Sequence, residues 1–123
     1  MQTFHFKERS LKPYAELVSM AELQEGEVYP SIQFAEQDRD ELFPIMETLV
    51  FVGLNLDEQQ VERRVYLEDL EFYQAGLRYK TASADDRATF YAQLPQHLNQ
   101  IFHYENALNE LVKCSLRRRE SEC

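Results

Sequence analysis

The residues able to do chemistry in this chain are few and badly spaced for most conventional reactions. A phosphate cradle needs closely spaced glycines, but the three here, Gly26, Gly53 and Gly76, stand far apart. Neither a P-loop nor a dinucleotide fingerprint can be written with them. On one helix His97 and His103 would lie about 120° apart in azimuth, and His103 would lie about 16 Å along the axis from Cys114. Neither pair chelates one ion, and His5 joins them only through a tertiary contact, so no metal and no cofactor are expected. No serine, cysteine or histidine occupies a nucleophile elbow. Cys114, on or beside an apolar stripe, reads as an inert buried thiol, and Cys123 as a solvated terminal residue.

Carboxylates, by contrast, are abundant. They cluster as Asp38, Asp40 and Glu41, as Asp57 and Glu58, as Glu68, Asp69 and Glu71, and as Asp85 and Asp86. Most fall in expected loops or helix starts, where acids cap and stay solvated. The net charge is −9, and it is unevenly spread: Glu22 to Glu71 holds fourteen acids against three bases. That excess repels a phosphate backbone, which excludes nucleic acid over most of the surface. It attracts a basic protein and speeds the encounter, although acidity also serves solubility alone. Asp38, Asp40, Glu41, Asp57, Glu58, Glu68 and Asp69 are the candidate partner-binding residues.

Glu47 differs from these acids because it interrupts the most apolar stretch, on one face with Ile45, Leu49 and Phe51. A carboxylate buried there needs a partner or a raised pKa. Arg63, Arg64 and Tyr66 on the next expected strand are the partners within reach, so Glu47, Arg64 and Tyr66 form a candidate pocket. A structural ion pair explains the same residues. Tyr29, Tyr66, Tyr73, Tyr79 and Tyr91 suit either a ligand cleft or the rim of a curved sheet. Arg117 to Arg119 fit the negative end of a helix dipole.

The elements that position these groups follow from periodicity. Alternation marks strands at Thr3–Lys7, Glu27–Phe34, Arg63–Leu67, Leu77–Thr81 and Ala88–Leu94, with Tyr14–Val18 a further extended candidate. Pro30 makes its strand an edge or a bulge. Pro44–Leu54 is apolar on both faces, so it is expected at the centre with cover on both sides. Ser19 and Glu22 write a capping box for a short helix over Met20–Gln24, closed by Gly26. Glu68–Ala75 suits a two-turn helix. After Pro95 the spacing of Leu98, Ile101, Phe102, Leu108, Leu111, Val112 and Leu116 predicts an amphipathic helix over about Gln96–Arg118.

At 123 residues and 44% hydrophobic, the chain suits a single domain spanning residues 1–123, strand-rich to residue 94. The fold expected is α+β: a strongly bent antiparallel sheet or SH3-like barrel of five to seven short strands, with one long C-terminal helix packed on it. No apolar stretch reaches membrane-span length and no signal peptide is visible, so a cytoplasmic location is expected. The function expected is a non-enzymatic interaction domain of immunity, antitoxin or inhibitor type that binds a basic partner. Two other readings are a small-molecule binder or unconventional enzyme with a cleft at Glu47, and a protein that pairs with itself through the last helix or the Pro30 edge.

Overall fold

The computed structural model describes residues 2–5, 8–36, 42–57, 62–98 and 100–121. Within them the fold is α+β. Four strands, β1 (Val28–Glu36), β2 (Leu42–Leu54), β3 (Val65–Asp69) and β4 (Tyr91–Gln93), form one open antiparallel sheet in the order β1-β2-β3-β4. Helices α1 (Leu70–Gln74) and α2 (Ala84–Arg87) lie between β3 and β4, and α3 (Tyr104–Ser121) closes the chain.

Four strands in an open sheet replace the expected five to seven, and no barrel closes among the described residues. Thr3–His5 and Tyr14–Val18 carry no regular structure, while Phe6 and Lys7 lie outside the described residues. Tyr79–Thr81 is a 3-10 turn rather than a strand. The capping box at Ser19 is present, but the helix it starts is only the 3-10 turn Met20–Glu22. Glu68 and Asp69, read as a helix start, extend β3 instead, and Gly76 ends the short α1 in a left-handed conformation.

Helix α3 begins eight residues later than periodicity predicts. The cause is an unsatisfied sheet edge. Ile32 N–H donates to Gln100 O at 2.9 Å and Phe102 N–H donates to Pro30 O at 3.0 Å, so residues 100–102 run as an extra rung along β1. Backbone groups on an edge strand need partners, and satisfying them outweighs the helical preference of this segment. Leu98, Ile101 and Phe102 are still buried, as their apolar character requires. His103 O then accepts from Ala107 N–H and opens α3.

The register explains both strand prolines. Pro30 and Ile32 turn their backbone polar groups toward residues 100–102, away from β2. In an antiparallel ladder that orientation alternates, so Tyr29, Ser31 and Gln33 bond inward to Leu49, Glu47 and Ile45. On β2 the even-numbered residues therefore face away from β1. Proline at 30 and at 44 removes an N–H that no β1–β2 bond uses.

Both faces of the sheet carry core. On one, Tyr29, Leu49, Phe51, Val65 and Leu67 pack with Val18, Leu98 and Ile101, flanked by Met20 and Leu23. On the other, Ile32 packs with Phe102 and with Ala107 and Leu111 of α3. The chain before Val18 crosses α3 through polar contacts. Arg9 Nη1 donates to Asn109 Oδ1 at 2.5 Å, and Lys113 Nζ, paired with Glu110 at 2.6 Å, donates to Tyr14 O at 3.2 Å.

Candidate interaction surface

The candidate pocket of Glu47, Arg64 and Tyr66 is not assembled. Glu47 pairs with Ser31 of β1 and is exposed, beyond the end of β3, which begins its pairing with β2 only at Leu49. Arg64 lies at the opposite end of β2, where Leu54 meets Val65. At about 3.3 Å per residue, the seven residues from Glu47 to Leu54 span roughly 23 Å. Tyr66 also points to the other face: Leu67 shares the face of Phe51 and Leu49, and Tyr66 is its neighbour along the strand. There the Tyr66 ring meets Tyr79, which stacks edge-on against Phe90. Burial pushes the Tyr66 hydroxyl pKa up. Arg64 pairs with Glu62 at 3.2 Å instead.

Among the candidate partner-binding acids, Asp38, Asp40, Glu41 and Glu58 lie outside the described residues. Asp57 is half-buried beside Tyr66. Asp69 occupies the N-cap position of α1 without a side-chain capping bond and is half-buried near the Tyr91 hydroxyl. Burial, with the nearby charges of Asp69 and Glu47, pushes the Tyr91 pKa up. Glu68 cannot meet a partner at the surface: its exposure is 0%. It sits opposite Val50, itself fully buried, and neither carboxylate oxygen has a hydrogen-bond partner among the described residues. Burial pushes its pKa up, and the Arg78 charge only partly opposes this. The alternation of β3 hid this residue, because apolar Val65 and Leu67 suggest one buried face where two exist.

What sequence reasoning missed is on β2. The stretch is apolar on both faces throughout, but only its second half is covered. Leu49, Val50 and Phe51 are buried, whereas Phe43, Ile45 and Met46 are 41%, 47% and 60% exposed. β3 pairs with β2 from Leu49 to Leu54 only, so the Leu42–Thr48 half has no strand on its outer side among the described residues. By the alternation above, the groups left facing outward among the described residues are the N–H and C=O of Leu42 and Met46, the C=O of Pro44 and the N–H of Thr48, while the Thr48 C=O flanks the Leu49–Asp69 pair and turns to Leu70. Pro44 was the visible signal, since a proline in a central strand is out of place.

The outer edge of β1 is already occupied by residues 100–102, so the Pro30 edge is covered around Pro30 and Ile32. On α3, Ala107 and Glu110 are buried while Tyr104, Leu108 and Leu116 remain exposed. Among the described residues no group of three His, Cys, Asp or Glu is placed to hold a metal, and no helix is long and apolar enough to cross a membrane. Cys114 is half-buried, with Arg117 Nη2 donating to its sulfur at 3.2 Å. No known family, characterised protein or solved structure matches the chain.

Proposed function

We propose that this protein is a non-enzymatic interaction domain, of immunity, antitoxin or inhibitor type, that binds a basic protein partner through the outer half of the β1–β2 hairpin. The observation that carries this reading is the meeting of exposed apolar side chains with a mainly acidic stretch of sequence, although the Arg117 guanidinium also lies 5.6 Å from the Phe34 ring. Phe34 and Met46 on one face and Phe43 and Ile45 on the other are exposed toward the end of the hairpin, and the segment after Glu36 holds Asp38, Asp40 and Glu41 against the single base Arg39. No Lys or Arg occurs from Asp40 to Glu62. Exposed apolar side chains clustered on one element are characteristic of association sites. The separation of Glu47 from Arg64 and Tyr66 removes the support for a cleft at Glu47.

The test is affinity capture on the immobilised protein at low salt, elution by a salt gradient, and titration of each purified eluted protein. A basic partner is expected, with affinity that falls about tenfold or more as ionic strength rises several-fold. An acidic partner, or binding indifferent to salt, overturns the reading.

A further inference from the structure

The open half of β2 narrows the kind of partner that the surface fits. We infer that the Leu42–Thr48 edge takes an extended segment in which Lys or Arg alternates with apolar residues, and adds it to the sheet as a strand. This rests on the basic-partner reading and adds a binding mode to it.

An exposed edge offers main-chain affinity, and its side chains set the specificity. Met46 presents an outward donor and acceptor, Pro44 adds an acceptor and Thr48 a donor, so among the described residues the edge keeps hydrogen-bonding capacity with no strand on it. The incoming segment lies beside Leu42–Met46, beyond the point where β3 ends at Asp69 and the chain turns into α1, whose start packs against β2. Its apolar residues lie beside Phe43 and Ile45 on one face or Met46 on the other, all exposed. Its charges are set by what lines the lane. Glu47 is exposed in the middle of the stretch, and Asp69 stands across from Leu49 at the inner end. A second copy of this chain fits the lane poorly, because two molecules that each carry −9 repel and the copy's own β2 brings no basic residue to Glu47.

The probe is an end-blocked heptapeptide alternating lysine and valine, titrated into isotope-labelled protein at about 50 mM salt. Saturable shifts are expected at the Met46 and Thr48 amides. Affinity should fall about tenfold on raising salt to about 300 mM, and again when alternate peptide nitrogens are methylated to abolish one edge of donors. Met46→Pro should weaken binding tenfold or more with the fold kept, because that nitrogen bonds outward and not to β1. The methylated peptide gives the same answer with the protein untouched. Absence of saturable shifts, or equal affinity for the methylated peptide, overturns strand addition. If a captured basic partner binds in a salt-sensitive way that Met46→Pro leaves unchanged, strand addition fails and the basic-partner reading stands. A dimer of the free protein that Met46→Pro dissociates assigns the edge to a second copy and also overturns the inference.

Discussion

Glu22 Oε2 lies 2.9 Å from His103 Nε2, joining the 3-10 turn after Val18 to the residue that opens α3, 81 positions later. The other Glu22 oxygen accepts from the Ser19 backbone N–H at 3.0 Å and the Ser19 hydroxyl at 2.9 Å, so a local capping box also serves as a tertiary clamp. The Ser19 N–H first, and the His103 ring next, hold the Glu22 carboxyl down at about 2.

Because the folded pKa is below the unfolded one, the stability Glu22 contributes is present above the ordinary 4.5 and is lost as pH falls from there toward about 2. Glu22→Gln should flatten the acid limb of the unfolding curve over that window. In a carboxyl NMR titration, His103→Ala should raise the Glu22 pKa only part of the way, since the Ser19 N–H remains. A full return to 4.5 contradicts the order of causes.

Glu68 has the opposite sign. Its carboxyl favours the protonated form when folded, so the stability cost of ionising it appears as pH rises from its unfolded value through the raised folded one. Glu68→Met, which leaves no buried polar atom without a partner, should stabilise the protein by about 1–3 kcal/mol at neutral pH. The gain should shrink as pH falls toward 4, where only the cost of an unpaired neutral carboxyl remains. Equal gains at both pH values, measured by denaturant unfolding, contradict a carboxyl buried without a partner.

The two halves of β2 should respond differently to truncation. Val50→Ala, with its partners fully packed, removes buried methyl groups and should cost about 1–3 kcal/mol. Ile45→Ala should stay within about 0.5 kcal/mol, because Ile45 is nearly half exposed. Similar losses at the two sites contradict the exposed half-strand.

The bulge between Phe51 and Gly53 places Gly53 at φ 143°, in a region that side-chain-bearing residues rarely adopt. A Cβ there would stand 3.0 Å from Leu56 Cδ2 and 3.3 Å from Glu25 Oε1. Gly53→Ala should therefore destabilise by about 1–3 kcal/mol in thermal unfolding. A neutral change contradicts the bulge.

Local signals in the sequence specify structure where one mechanism governs them. The Ser19–Glu22 box, the edge position implied by Pro30 and the amphipathic C-terminal helix all rest on patterns a few residues long. What escaped depends on tertiary pairing. Leu98, Ile101 and Phe102 have helical spacing, but the open polar groups of Pro30 and Ile32 draw residues 100–102 into a rung beside β1. Glu68 looks solvated among its acidic neighbours, and only the burial of both β3 faces hides it. Glu47 looks buried among apolar residues, and only the shortness of β3 exposes it.

Amide hydrogen exchange along β2 distinguishes an open edge from a covered one. In the free protein the Phe43, Ile45 and Glu47 amides, which bond toward β1, should exchange slowly, while Met46 and Thr48 exchange at least about a hundredfold faster and Val50 is slow again. Protection of Met46 and Thr48 equal to that of Ile45 would mean that the edge is already covered, and the proposed docking lane would not exist.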